Sequence, residues 1–176
     1  MLVLNTSHMM CYAIPILLIW VTSVSAAGIA VVVNSSPYPI YVWSVGGSVG
    51  PRQSIKAGRS AKFKTPFLLL SSVGGIYWEP MRRDEESGGI AIKVTKTADG
   101  LYSGAPQQIF AYNLDGATVW YDLSTVFGDP FAGYRLEVSG DNGGSIVWPN
   151  GTHPKGSQVT TAPSEGNVFF TIDPTV

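Results

Sequence analysis

The sequence predicts an all-β fold of about ten short strands. Three observations carry this reading. β-Branched and aromatic residues gather in short runs, Gly and Pro separate those runs at regular spacing, and no stretch shows the period of an amphipathic helix. The 20 glycines and 12 prolines suit a chain with many turns. Charged residues make up 13% of the chain, well below the roughly one quarter usual in soluble domains, while 45% is hydrophobic. At 176 residues that is enough apolar material for one domain with its own core. A net charge of -1 gives no overall field to draw nucleic acid or an anionic membrane, so neither is an expected partner.

The N-terminus reads as a secretory signal peptide over residues 1–26, leaving 27–176 as the mature domain. Residues 13–21 form its apolar run, and Val24-Ser25-Ala26 offers small residues for cleavage after Ala26 or Ala27. The segment before the run lacks Lys and Arg, the first of which is Arg52. The run is too short to cross a bilayer comfortably, so no membrane span is expected after processing. The single cysteine, Cys11, falls inside this segment. The mature chain then has no disulfide or thiol chemistry, and its fold rests on the core.

Residues 28–34 (GIAVVVN) are a continuous β-branched run and a strong strand. Asn34-Ser35-Ser36 is an N-glycosylation sequon, as is Asn150-Gly151-Thr152 further on. Residues 39–44 form a second strand, which Pro37 and Pro39 restrict to an edge or a strand start. Gly46-Gly47-Ser48 is a turn; without Walker spacing or a following helix it is no phosphate loop. Five basic residues from Arg52 to Lys64, with no acid among them, read as the wet side of two strands rather than a basic docking face. Residues 66–77 are unusually apolar. Arg82 to Glu86 is a mixed charge cluster, better read as a solvated turn than as a metal site. Residues 89–97 are a strand, followed by a turn at Ala98-Asp99-Gly100.

The centre of the chain is residues 107–133. One strand spans 107–114, Asp115-Gly116 signals a tight hairpin, and an aromatic strand spans 117–123. A loop rich in Gly, Pro and Asp follows at 124–133, and loops held by rigid strands are where binding sites concentrate. Residues 134–139 form another strand, 140–144 a long turn, 145–148 a short strand, 153–164 a loop, and 168–172 a final strand.

Four ordered blocks resemble a known family: Tyr41 to Gly50 (YVWSVGGSVG), Gly88 to Lys93 (GGIAIK), the central stretch with Tyr121-Asp122-Leu123-Ser124, and Ile146 to Gly151 (IVWPNG). The chain resembles thaumatin-like β-sandwich proteins and, more closely, the small secreted fungal family of Bys1-domain or antigenic thaumatin-like proteins. The resemblance implies an all-β, thaumatin-like β-sandwich of about ten short antiparallel strands. It implies a secreted, non-enzymatic fungal antigen of the cell wall or surface, with cell-wall polysaccharide as its partner. Two departures stand out. Ser36 occupies a place where the family is expected to carry a cysteine, and the apolar 66–77 stretch precedes Glu79-Pro80-Met81-Arg82-Arg83, which those proteins reach directly.

The same resemblance raises a β-1,3-glucan hydrolase as the alternative. That chemistry needs two carboxyl groups about 5–10 Å apart across the glycosidic bond. Of three cleft carboxylates, only Asp122 is matched; the others fall on Ala111 and Phe127, with Asp129 two residues beyond. Asp122 therefore reads as a structural cap rather than a catalytic group. The single histidine of the mature chain, His153, supports neither a Ser-His-Asp triad nor a zinc site, and there is no Gly-x-Ser-x-Gly elbow. No catalytic residue, metal or cofactor is expected. For sugar binding the candidates are the loop-edge residues Trp78, Tyr121, Asp122 and Asp129, drawn from four mature tryptophans, many tyrosines and the adjacent acids.

Overall fold

The computed structural model describes residues 26–58 and 75–175. The signal segment and most of the apolar 66–77 stretch lie outside the described residues. The described chain is a β-sandwich of eleven strands without a helix. A small sheet is ordered β4 (Ile76–Pro80), β1 (Ile29–Asn34), β11 (Val168–Pro174), β8 (Tyr134–Gly140), β9 (Ser145–Trp148). A large sheet is ordered β10 (Val159–Pro163), β7 (Thr118–Val126), β6 (Gln107–Asp115), β5 (Ile90–Thr95), β2 (Ile40–Val45), β3 (Gln53–Ile55). Neighbours are antiparallel except β1 and β11, which run parallel with Val32 beside Phe170. The first and last strands need no tight turn between them, so nothing forces them antiparallel.

Three details depart from the sequence reading. Residues 153–164 are not all loop, because β10 pairs with β7 along Val159↔Asp122 to Pro163↔Thr118. Its Val-Thr-Thr-Ala-Pro sequence buries only Ala162, so an edge strand hides as a polar loop. The β6–β7 turn is Gly116-Ala117, one residue later than expected, with Asp115 and Thr118 the closing pair. Gly116 takes φ +58 and Ala117 does not turn positive, the pattern of a II′ hairpin, in which glycine belongs at the first central position. Finally, β7 runs on to Val126, three residues into the predicted loop.

The core forms between the two sheets from alternate residues of each strand. Ala30 and Val32, Phe170 and Ile172, Leu136 and Val138 face Ile90, Ile92 and Val94, Phe110 and Tyr112, and Val119, Tyr121 and Leu123. The Phe110 and Phe170 rings meet across the interface at 6.1 Å. Such burial is worth roughly 1.5–3 kcal/mol per large side chain, enough to hold a sandwich without disulfides.

At one end of the sandwich a charge is enclosed. Glu79 on β4 is 8% exposed and points between the sheets. Its carboxylate accepts hydrogen bonds from the hydroxyls of Tyr112 (2.8 Å) and Tyr77 (2.7 Å), and pairs with Arg82 at 3.3 Å. Burial, then the adjacent Glu79, raise both tyrosine pKa values well above their ordinary value, so the hydroxyls stay protonated as donors. At the opposite edge of β5, Lys96 sets its ammonium over the rings of Tyr38 (4.7 Å), Tyr134 (5.5 Å) and Phe131 (5.6 Å).

Candidate functional site

The outer face of the large sheet carries a groove of about 560 Å³. Strand register dictates what lines it. Ala91, Ala111, Asp122 and Val159 form one cross-strand row. The next row places Asn113 opposite Trp120, with Thr161 beyond. Inward residues of β7 (Val119, Tyr121, Leu123) are core, so Trp120 and Asp122 must face outward. The alanines leave a low floor, and Trp120, 48% exposed, and Val159, 52% exposed, stand as one wall.

The end of the groove is shaped by two glycine-rich turns. Asp84 accepts hydrogen bonds from the Ser87 amide and hydroxyl (both 2.8 Å) and from the Gly47 amide (3.0 Å). These bonds, led by those from Ser87, hold its carboxyl down at about 2. At Gly46 and Gly47, an added Cβ would fall 2.5 Å from the Asp84 carboxylate and 2.2 Å from that of Glu86, so a larger residue there would push these side chains aside. The charge cluster at 82–86 is thus a turn that braces the groove. Among the described residues no group of acids, histidines or cysteines is placed to hold a metal ion.

Among the described residues, Asp122 and Lys93 are the charged residues that line the groove. Burial pushes the Asp122 carboxyl up from its ordinary value, and the Ser124 hydroxyl pulls it partly back. Asp122 therefore lies mid-strand with a side-chain partner, not as a cap on loop amides. Ala111, directly opposite, has no carboxyl, and Phe127 stands beyond the strand end at φ +61 and 65% exposed. The groove presents one carboxylate, one ammonium, a carboxamide and an aromatic face. That set can orient a polar ligand over a ring; it lacks the facing carboxylates of an acid–base pair.

The four residues predicted for ligand binding do not come together. Tyr121 is 1% exposed, with its hydroxyl donated to the Gly144 carbonyl. Trp78 is half exposed but sits on β4 of the other sheet. Asp129 lies in the loop after β7, accepting from the Thr125 hydroxyl at 3.1 Å. Of the four, Asp122 and the edge of the otherwise buried Tyr121 line the groove. Trp120, Asn113 and Lys93 are the residues that sequence reasoning missed. The sequons also separate. Asn34 is 2% exposed, and its amide nitrogen donates to the Tyr38 and Lys56 carbonyls, whereas Asn150 is exposed in the turn after β9.

The family model described as Bys1, Blastomyces yeast-phase-specific protein, matches residues 17–173. The chain belongs to the Bys1 family. The same sandwich occurs in the protein elicitor MoHrip2 from Magnaporthe oryzae. That crystal structure aligns with a TM-score of 0.62 at 24% identity, covering 84% of this chain and 99% of that one. At that identity the likeness speaks for fold alone. No curated protein matches the sequence. Among the described residues, no helix of this Bys1 protein is long and apolar enough to cross a membrane.

Proposed function

We propose that this Bys1 protein is a secreted, non-enzymatic thaumatin-like protein that associates with the cell wall by binding polysaccharide in the groove of its large sheet. The carrying observation is the groove itself: Trp120 half exposed beside a single carboxylate, with Ala111 where a second acid would have to stand. An aromatic face flanked by a few polar groups suits a sugar ring. Incubation of the purified secreted protein with insoluble fungal wall polysaccharide is expected to retain it in the pellet without releasing reducing sugar. Release of laminarin fragments that is lost in Asp122→Asn, with unchanged melting temperature, would overturn the non-enzymatic reading.

Export and glycosylation form part of the same proposal. Gly28 supports cleavage just ahead of it, since its amide bonds the Ser164 carbonyl (2.8 Å) and its carbonyl accepts from Met81 (2.9 Å). The fold is therefore anchored from Gly28 onward. A glycan fits on Asn150, while on Asn34 it would break two hydrogen bonds inside the protein. Mass spectrometry of secreted material is expected to find an N-terminus at Ala27 or Gly28 and a glycan on Asn150 only. Retention of residues 1–20, or a glycan on Asn34 of folded protein, would count against this.

A further inference from the structure

Two aromatic side chains stand clear of the core at one end of the sandwich. Tyr102, 75% exposed, and Phe127, 65% exposed, are the most exposed large hydrophobic residues among those described. They sit on neighbouring loops. Gln107 and Val126 are the closing pair of β6 and β7, so the loop before β6 and the loop after β7 leave the same end of the large sheet. The Pro106 side chain lies 3.6 Å from where a Cβ on Gly128 would stand. Gln107 Nε2 donates to the Gly100 and Leu101 carbonyls (3.3 and 3.4 Å), which fastens the Tyr102 turn to the base of β6. Phe127 also holds a strained backbone, at φ +61. Among the described residues the other non-glycine at positive φ is Asn142. Asparagine tolerates that region, whereas a bulky ring does not, and strain kept at an exposed position points to a use for the side chain.

The chemistry of the loops says what the rings meet. Residues 100–108 and 123–128 carry no charge. Their polar side chains bond within the loops: Gln107 as above, Gln108 Nε2 to the Ser124 carbonyl at 2.8 Å, and the Thr125 hydroxyl to Asp129 at 3.1 Å. A sugar is oriented by polar groups converging around its ring, and here those groups are turned to the protein. The boundary between water and lipid needs no such partners, and aromatic rings settle there. The flanking charges, Lys96, Asp99 and Asp129, hold no surplus of cations that would favour anionic lipid. We propose that this end of the sandwich docks on a zwitterionic lipid surface, with Tyr102 and Phe127 entering the headgroup boundary and no strand crossing it. Two rings bury too little area for permanent anchoring, so the attachment is reversible. The site lies outside the groove of the large sheet, whose residues it does not share.

The test is co-sedimentation of the full secreted chain with phosphatidylcholine vesicles, at low and high salt. Wild type is expected to pellet with the vesicles to the same extent at both. Phe127→Asn, which suits the left-handed backbone, should melt at or above the wild-type temperature and bind vesicles at least tenfold more weakly. Tyr102→Ser should weaken binding about fivefold. Trp120→Ala, a change in the groove, should leave vesicle binding within twofold, which keeps this docking separate from polysaccharide retention. Absence of wild-type binding to phosphatidylcholine overturns the proposal, as does Phe127→Asn within twofold of wild type. Binding confined to vesicles containing phosphatidylserine and abolished by salt would show a charge-driven contact and overturn it as well. Loss of wall polysaccharide retention in Phe127→Asn, with no vesicle binding by wild type, would instead make Phe127 a sugar-stacking residue.

Discussion

Glu79→Ala is expected to destabilise the protein by about 3 kcal/mol, lowering the melting temperature by roughly 6–12 °C. The side chain is 8% exposed and spans the gap between the sheets. It joins Tyr77, on its own strand, to Tyr112 of the large sheet. Removing the carboxylate strands the buried Tyr112 hydroxyl, at about 1–3 kcal/mol, takes a partner from the half-buried Tyr77, and leaves a void. The Arg82 partner adds little to the sum, because its side chain is 51% exposed and exposed pairs are worth at most about 1 kcal/mol. Tyr112→Phe removes one donor while Glu79 keeps Tyr77 and Arg82 as partners, and should cost about 1 kcal/mol. In a double-mutant cycle the two changes should be strongly non-additive, since the second finds its partner already gone. Denaturant melts within 0.5 kcal/mol of wild type for Glu79→Ala would mean that the network carries no stability.

Sequence reasoning reached the fold because its signals are local. The Val-rich β1 is buried on both faces, and such strands read as unbroken apolar runs. The Asp-Gly step placed the central hairpin to within one residue. What escaped was either weakly patterned or long-range. β10 escaped because an edge strand with one buried side chain shows no alternation. The groove was half legible. Along β7, Tyr121 shares its parity with Val119 and Leu123, so the period-two rule already assigns it to the core and turns Trp120 outward with Asp122. Asn113 is set opposite Trp120 by hairpin register, but its side-chain oxygen, buried without a hydrogen-bond partner, depends on packing that no local pattern encodes. Glu79 is harder still, because nothing in Tyr77-Trp78-Glu79-Pro80 announces that its partner lies on β6. The burial of Asn34 was hidden for a related reason: its three-residue motif does not encode that it ends a strand buried on both faces.

Trp148→Ala is the other substitution with a large expected effect, about 3–5 kcal/mol. The indole is 0% exposed and fills the core beside Leu136, its cross-strand neighbour. It also has a second task, holding the strand that sequence patterning missed. Trp148 Nε1 donates to Gln158 Oε1 at 2.8 Å, and the Gln158 carbonyl accepts from the Leu123 amide of β7 at 3.2 Å. Gln158 directly precedes Val159, which forms the groove wall with Trp120. The chain of contacts therefore runs from the core indole to the edge strand and on to the groove. Trp148→Phe separates the two tasks. It keeps most of the buried aromatic volume but loses the N–H donor, and should cost only about 1–2 kcal/mol overall. Its local effect should be larger than its global one, because an edge strand opens below the free energy of full unfolding. Hydrogen exchange is expected to show the Leu123 amide and the β10 amides losing protection in Trp148→Phe, while the Phe110 and Ile92 amides keep theirs. Unchanged protection at Leu123 would show that β10 is held by its pairing with β7 alone, and that Trp148 serves only the core.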